Sequence, residues 1–475
     1  MKKLSTLLLL GLISLNLSAQ KMTKDKKAVV ASVEKHKENL IKISDSIWAL
    51  AETAFEESIS SKLLADYAEE NGMNVTRGVA NIPTAFVATY GSGSPVISVL
   101  GEFDALPGLS QNTVPTKDPR FEGEPGHGCG HNMFGTASLG AAIAIKEQIE
   151  AGNIKGTVKF FGTPAEEKFF GKVWMVEAGL WDDVDVNVSW HPSAEIEADV
   201  QSGLALVDFM VEFYGQAAHA SADPWNGRSA SDALELYTTG INYYREHIRP
   251  TSRIHYHIQD GGQVVNVVPD YARLWVRVRD PKRDVMLPTF ERVKAMAEGA
   301  AIMANVDYKY SLISGIYETL VNREGGKIMQ NNLELLGPIT YTVEETAYGK
   351  AIQEATGKPQ VGMDGEVHPL KETEELPGGG STDVGDVSWN VPNINLGVTV
   401  APKGTPWHSW AVVACGGMSI GHKGMVYASK AMGMTMFDLF DDSKLVEKVK
   451  EEYKTRKGDV KYEAMIDGPP PIPGK

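Results

Sequence analysis

Apolar runs that each end in polar residues are the feature that most restricts how this chain can fold. Four such runs cover 96–100, 157–161, 184–190 and 394–398, and helix-like stretches such as Phe134–Gln148 lie between them. Buried strands that alternate with helices predict an α/β domain with a mixed, largely parallel sheet. In such sheets ligands bind beyond the carboxyl ends of the strands. The polar residues that follow the runs are therefore the first candidates for a functional site.

The middle of the chain has a different rhythm. We predict strands at 205–214, 254–259, 272–279 and 307–313, with helices at 229–244 and 287–304. This β-α-β-β-α-β order is that of a ferredoxin-like unit. We therefore expect an inserted domain over 203–315 between two parts of a catalytic domain, 21–202 and 316–475, with a loose proline-rich tail at 469–473.

The first twenty residues have the pattern of a secretory signal peptide. Lys2 and Lys3 precede an apolar run at 7–15, and small residues lead to Gln20. The run is short for a membrane span, which needs about 20 residues. A buried N-terminal helix is the alternative. We expect an exported protein, periplasmic or secreted, without a membrane anchor.

Composition excludes several other classes of protein. The formal net charge is −15, so the surface should repel nucleic acid and anionic lipid. The apolar fraction of 43% and the charged fraction of 23% are those of an ordinary globular chain. Only two cysteines, Cys129 and Cys415, are present, which rules out a disulfide scaffold, although the two could pair. We expect a small molecule as the substrate.

Residues with the chemistry of metal ligands stand at several of the predicted strand ends. They are Cys129, His131, Glu167, His191 and His408, and Glu166 lies beside them. Sulfur and imidazole donors suit zinc and, less well, manganese. Each residue alone would more often be structural. Together, five candidate ligands would satisfy two metal ions if one of them bridges, and a free glutamate could then take a proton from a water molecule.

Eight motifs in register resemble the M20 metallopeptidase clan, in its amidohydrolase branch, which includes enzymes acting on aminobenzoyl-glutamate. They are GEFDALPG at 101–108, GHGCGHN at 126–132, PAEE at 164–167, GQAAHA at 215–220, NGRSA at 226–230, NVVP at 266–269, GSTDVGDVS at 380–388 and GTPWHSW at 404–410. The similarity covers nearly all of the chain after the signal. The resemblance implies two divalent ions per subunit, zinc or manganese. It also implies that Cys129 bridges them, that His131 and His191 complete one shell, and that Glu167 and His408 complete the other.

The same resemblance implies roles for five further residues. Glu166 matches the general base, and Asp104 matches a residue that orients a ligand. His219 resembles a lid histidine that reaches the partner subunit's site in a homodimer and stabilises the oxyanion. Asn266 and Gly380 match positions near the substrate carboxylate.

The activity implied is hydrolysis of the amide bond of an N-acyl or N-aroyl amino acid. One alternative is a dipeptidase or aminopeptidase of the same clan, although the Cys129-Gly130-His131 arrangement in place of a bridging aspartate argues against it. A non-catalytic, metal-dependent binding protein is the other, and Glu166 argues against that. Trp190 and Trp407, each next to a predicted ligand, would either stack on an aroyl group or merely pack the rim.

Overall fold

The larger of two sheets has seven strands. The computed structural model of the chain describes residues 22–373, 377 and 380–474. The strands of this sheet are β1 (Asn74–Arg77), β2 (Phe86–Gly91), β3 (Val96–Gly101), β4 (Thr157–Gly162), β5 (Val186–Ser193), β6 (Glu197–Asp199) and β11 (Asn393–Thr399), the numbers β7 to β10 belonging to the second sheet. Their order is β1-β2-β4-β3-β5-β11-β6. The four central strands are parallel to one another, and the other three pair antiparallel at the two edges.

Helices cover this sheet, and its central strands are therefore buried along most of their length. The helices are α1 (Lys24–Leu50), α2 (Ser58–Glu70), α3 (His131–Glu150), α4 (Gly171–Glu177), α7 (Arg323–Leu336), α8 (Val343–Ala355), α9 (Val384–Ser388), α10 (Trp410–Gly416), α11 (Ser419–Asp441) and α12 (Ser443–Lys457). Helices α1, α3 and α11 pack on one another, and α3 also packs on β3, β4 and β5. Between Met22 and Gly474, no described helix is long and apolar enough to cross a bilayer.

The second sheet belongs to the segment that was predicted to be inserted. Its elements are β7 (Ala205–Tyr214), α5 (Ala230–Tyr244), β8 (Arg253–Asp260), β9 (Tyr271–Asp280), α6 (Arg283–Ala304) and β10 (Asp307–Ile316). The strands are antiparallel in the order β10-β7-β9-β8. Phe209, Tyr237 and Phe290 belong to a hydrophobic core separate from that of the larger sheet. The predicted fold class, a mixed α/β domain with a ferredoxin-like insertion, is confirmed. We refer to this second unit as the lid.

The structure differs from the sequence-based expectations at two places. The antiparallel strands β1, β2 and β6 were not predicted. The C-terminal tail was predicted to be loose, but Pro470 is buried, Ile472 packs against the main core, and Trp174 Nε1 donates to the Gly468 carbonyl at 3.1 Å. That prediction was wrong because apolar side chains follow the helical region and find a core to cover. The predicted signal at 1–20 lies outside the described residues.

Candidate metal centre

The ends of the parallel strands bring the predicted ligands to one edge of the sheet. Asp104 follows β3, Glu166 and Glu167 follow β4, and His408 lies in the loop after β11. His191 lies inside β5 rather than beyond it, because β5 runs on to Ser193 in register with β11. Strand β5 pairs with β3 only as far as Val188. Pro192, which follows His191 and has no N–H, therefore removes no hydrogen bond from the ladder between β3 and β5.

The N-terminus of α3 supplies the other two ligands. His131 is the first residue of the helix, and Cys129 lies two residues before it. Gly130 between them has a φ of +80°, and a Cβ at this position would approach Met133 and Pro192 to 3.0 Å. Glycine is therefore required here for both side chains to turn toward the same point.

The five predicted ligands form two groups that share one residue. Donor atoms of Cys129, His131 and His191 all lie within 4.8 Å of one another, and so do those of Cys129, Glu167 and His408. Their membership is that of the two shells, with a shared cysteine, that the sequence resemblance implies, and donor atoms of Glu102, His131 and Glu166 form a further group beside them. The geometry brings the residues together as two adjacent three-donor sites.

Both buried imidazoles are held with Nε2 facing the centre. His131 donates from Nδ1 to Asp104 Oδ1 at 3.0 Å, and His191 donates from Nδ1 to the Pro192 carbonyl at 2.8 Å. His131 Nε2 and Glu167 Oε1 are among the buried polar atoms that make no hydrogen bond of acceptable geometry, although Glu102 Oε2 lies 3.0 Å from His131 Nε2. Buried polar atoms rarely remain unpaired, and histidines that bind metals characteristically use their second nitrogen in this way. The residues present therefore fit divalent metal ions.

Asp104 lies where a residue that orients ligands is needed. One of its carboxylate oxygens accepts from His131, and the other accepts from the backbone N–H of Glu167 at 2.9 Å. It thus connects a ligand from each of the two groups. Its position fits the role that the resemblance implies.

The carboxyl groups at the centre carry strongly shifted pKa values. Burial, followed by the charges of Glu102 and Glu167, raises the pKa of Glu166 well above its usual value. Burial raises the pKa of Glu167 to about 7, although the charge of His131 lowers it. Crowded acidic groups of this kind need cations to offset their repulsion, which again fits a metal centre.

A buried lysine that the sequence analysis did not single out lies beside these groups. Lys172, at the start of α4, is 0% exposed, and its Nζ lies 2.6 Å from both Glu102 Oε1 and Asp383 Oδ1. The backbone N–H of Lys172 donates to the other oxygen of Asp383 at 2.9 Å. This triad joins the segment after β3, the start of α4 and the residue that precedes α9.

Metal-free protein should be more stable at pH 6.5 than at pH 8, by about 1 kcal/mol. The folded pKa of Glu167, about 7, lies above its ordinary value of 4.5, so the folded state binds more protons in this window and stability is lost as the pH rises through 7. Glu166 and His131 shift in the same direction. Burial lowers the pKa values of His191 and His127 to about 4 from 6.5. Because an unfolded histidine is still half protonated at pH 6.5, each of these two opposes the effect by about 0.4 kcal/mol, and the expected sign comes from Glu166, Glu167 and His131 together.

Urea unfolding of chelator-treated protein at the two pH values measures this difference. The Glu167→Gln variant is the control and should show a smaller difference. A higher unfolding midpoint at pH 8 in the unsubstituted protein would contradict the assignment.

A cavity of about 700 Å³ opens onto the centre. It is lined by Cys129, Glu166, Glu167, His191 and His408, by the predicted residue Gly380, and by both Trp190 and Trp407. Trp190 is fully buried and its Nε1 donates to the Phe134 carbonyl at 3.1 Å, so this ring is fixed by packing. The two glycines that precede Gly380, Gly378 and Gly379, lie outside the described residues.

The lid contributes residues to this cavity that the sequence analysis missed. They are Trp275, Arg277 and Arg279, which alternate along β9 with residues of the lid core. Arg277 Nε donates to Asp208 Oδ1 at 2.7 Å, and the Arg277 guanidinium lies 5.6 Å from the centre of the Trp275 ring. The alternation was visible in the sequence, but only the fold shows that this face covers the metal centre.

Two predicted site residues do not reach the cavity of their own chain. His219 and Asn266 are both exposed, and the two segments that carry them lie side by side. The Ala220 N–H donates to the Asn266 carbonyl at 3.1 Å, and the backbones of His219 and Val267 form an isolated antiparallel β-bridge. His219 Nδ1 accepts from the Ala222 backbone N–H at 3.2 Å. Cys129 and Cys415, which could have paired, are both free and buried.

Comparison with known proteins gives one family. Peptidase family M20/M25/M40 matches residues 99–465. The p-aminobenzoyl-glutamate hydrolase of Escherichia coli strain K12 has a subunit that is 38% identical over 453 residues, covering 89% of this chain and 93% of its own. A Xaa-Arg dipeptidase of Mus musculus is 28% identical over 92% of this chain and 94% of its own. A dinuclear metal-binding peptidase of the M20 family from Bacillus subtilis has the same fold, with a TM-score of 0.56 at 18% identity over 86% of this chain and 99% of that one.

Proposed function

Because this chain belongs to peptidase family M20/M25/M40 and is a hydrolase that uses divalent metal ions, we propose that it cleaves the amide bond of N-acyl or N-aroyl amino acids such as aminobenzoyl-glutamate. One observation carries the proposal. Two donor groups share Cys129, and the carboxylate of Glu166, which belongs to neither group, lines the same cavity. We propose that the metals are two ions per chain, zinc or manganese.

The chain's own groups divide the chemistry between them. When bound, two divalent ions would supply Lewis acidity and acidify a water molecule. Glu166 accepts the proton of that water on a carboxylate oxygen and returns it to the nitrogen of the leaving amine. Asp104 holds His131 and the Glu167 backbone in place throughout. The lid residues on β9 line the cavity, and a substrate bound between them and the donor groups would exclude bulk water from the reacting groups.

We propose that the chain forms a homodimer through the lid, in which His219 completes the site of the partner subunit. The segments that carry His219 and Asn266 also expose apolar side chains, with Trp225 77% and Val265 98% exposed. Strand β8 lies at the edge of the lid sheet, where it has one free side for pairing. These features support an interface at this end of the lid.

Mixed dimers should recover activity that neither parent has. His219→Ala removes an oxyanion donor worth about 3 kcal/mol, and Glu166→Gln removes the base. In a mixed dimer, the site with an intact Glu166 receives an intact His219 from its partner. Random mixing should therefore restore about a quarter of the original activity, since half of the dimers are mixed and each has one complete site.

The control for this experiment pairs Glu166→Gln with the double variant Glu166→Gln/His219→Ala, which should restore nothing. The mass of the assembly in solution is measured by light scattering. A mixture of the single variants that is no more active than its parents would contradict the dimer proposal.

A second candidate function is cleavage of dipeptides with a basic residue. The side of the cavity near β6 carries Asp199 and also Glu197, which pairs with Lys371 at 3.3 Å, and these two carboxylates would suit a cationic side chain. The related Xaa-Arg dipeptidase acts, by its name, on a substrate of this kind.

We also propose that the protein is exported after removal of residues 1–20, because the order of basic, apolar and small residues is that of a signal peptide. N-terminal sequencing of protein recovered outside the inner membrane measures this. An N-terminus that still begins at Met1 would contradict it.

The experiment that tests the function is release of free amino acid from a panel of amides by protein loaded with zinc or manganese. The panel contains aminobenzoyl-glutamate, benzoyl and indole-acetyl conjugates, fatty-acyl conjugates and Xaa-Arg dipeptides. Cleavage of the conjugates above the dipeptides is expected. Preference for the dipeptides would select the second candidate, and metal binding without any turnover would select a binding protein.

A further inference from the structure

The sheet beside the metal centre carries polar side chains that the proposed mechanism does not use. Central parallel strands are usually apolar along their whole length. Strands β5 and β11 instead place polar residues at alternate positions of one face: Asn187 and Ser189 on β5, and Asn393 and Asn395 on β11. His191 lies on the same face of β5. Departures of this kind from an apolar strand are expected at functional sites.

This polar face opens into the metal cavity at Asn395 and Asp199. Asn395 is the one residue of β11 that is not buried, and it lines the cavity. Its Nδ2 donates to Asp199 Oδ2 at 2.8 Å, and its Oδ1 accepts from Ser189 Oγ at 3.1 Å. Asp199, on the edge strand β6, lines the cavity as well, and its Oδ1 accepts from the Gln201 backbone N–H at 3.0 Å. The Asp199 carboxylate is therefore held in place from two sides.

Asp199 is a carboxylate whose charge is not neutralised at this wall of the cavity. Within the part of the chain that the structure describes, no cation forms an ion pair with it, whereas the neighbouring Glu197 pairs with Lys371 at 3.3 Å. Burial raises the pKa of Asp199, although its two hydrogen bonds lower it. A carboxylate has about four acceptor positions, so a donor on a ligand would find free positions here.

The sheet geometry fixes how far Asp199 lies from the metal centre. His191 and Asp199 lie on the same face of the sheet, two strands and two residues apart. Strand spacing and rise place their Cα atoms about 12 Å apart. Gly397 stands between His191 and Glu197 in the ladder, so no side chain from β11 separates the metal ligand from this wall. An aromatic acyl group whose amide lies at the metals would direct its para substituent toward Asp199.

We propose that Asp199, held by Asn395, recognises an amine at the far end of the acyl group of the substrate. This inference rests on the proposed function and names the substrate class, amides of aminoaroyl acids in preference to benzoyl, indole-acetyl or fatty-acyl conjugates. A neutral arylamine donates an N–H to the carboxylate without bringing a second cation close to Lys371. Asp199 thus determines specificity and takes no part in the proton transfers.

Three probes test the proposal by calorimetric titration into metal-loaded Glu166→Gln protein, in which no turnover interferes. Para-aminobenzoyl-glutamate carries the amine, para-methylbenzoyl-glutamate replaces it by a methyl group of similar size, and alanyl-arginine offers a cationic side chain. We expect the Kd of the amino probe to be about 10- to 100-fold lower than that of the methyl probe, which is the range for a hydrogen bond to a charged group.

Asp199→Asn, introduced into the same protein, should raise the Kd of the amino probe until the ratio of the two Kd values is close to one. The Kd of the methyl probe should stay unchanged, which establishes that the variant still folds and forms the cavity. Asp183→Asn is the matched control, because this exposed carboxylate pairs with Lys159 and lies before the start of β5, at the other end of the strand. It should leave the ratio unchanged.

Four results would overturn the proposal. They are equal affinity for the amino and methyl probes, a ratio that survives Asp199→Asn, an equal loss of affinity for both aroyl probes in that variant, and a loss confined to alanyl-arginine, which would assign Asp199 to a cationic side chain. Failure of the proposed function is distinguishable, because it would appear as absence of cleavage by the unsubstituted enzyme while the difference in affinity remained.

Discussion

Replacing Glu166 by glutamine should lower kcat by about 10²- to 10⁴-fold while both metals stay bound, since this is the range that general acid–base groups contribute. Glutamine keeps the size of the side chain and removes the oxygen that accepts a proton. Glu166 belongs to neither of the two donor groups that share Cys129, although its carboxylate lies within 4.8 Å of donor atoms of Glu102 and His131. As the base it would contact the water molecule and not the ions, so metal affinity should change little.

The matched control is the neighbouring residue. Glu167→Gln alters a member of the second donor group and should reduce the metal content as well as the rate. Measuring kcat and metal content for both variants separates the two roles. A Glu166→Gln protein that keeps its metals and a near-normal kcat would remove Glu166 from the mechanism.

Replacing Lys172 by methionine should lower the free energy of unfolding by about 3–5 kcal/mol, because breaking a buried ion pair leaves uncompensated charge. Lys172 is fully buried, and its ammonium contacts both Glu102 and Asp383, which are buried as well. Burial raises the pKa of Asp383 to about 6, although Lys172 lowers it, so this carboxylate depends on the lysine for its charge. Urea unfolding of the metal-free protein measures the loss.

Two further variants make this prediction specific. Lys62→Met removes an exposed lysine that pairs with Asp66, and should cost less than about 1 kcal/mol. Adding Glu102→Gln and Asp383→Asn to Lys172→Met removes all three charges and should recover most of the lost stability. A Lys172→Met protein as stable as the unsubstituted one would show that the triad does not stabilise the fold.

The parts of the fold that the sequence predicted are those with strong periodic patterns. Strand β7 was predicted with its observed bounds, and the central parallel strands were located by continuous apolar runs. The antiparallel strands β1, β2 and β6 were missed. Strands β1 and β6 are only four and three residues long and lie at the edges of the sheet, where polar side chains are tolerated, and β2 lies between β1 and β4.

Site residues could be predicted where residue types that bind metals occur close together in the sequence. They could not be predicted where a residue's role depends on contacts with residues far away along the chain. A Cys-Gly-His and a Glu-Glu at strand ends indicate a metal centre, and the structure brings Cys129 and Glu167 together. Lys172 resembles an ordinary helical lysine, and its partners are 70 and 211 residues away in the chain. Arg277 has a pattern typical of any half-buried strand, so the fold is needed to show what it faces.

The most direct test of the binuclear amidohydrolase is glutamate release from aminobenzoyl-glutamate as metal is added back to chelated protein. The account predicts no release without metal, a rise up to two equivalents per chain and a constant rate beyond that point. Full activity at one equivalent, activity in the chelated protein, or no release from any conjugate by protein that holds two ions would contradict it.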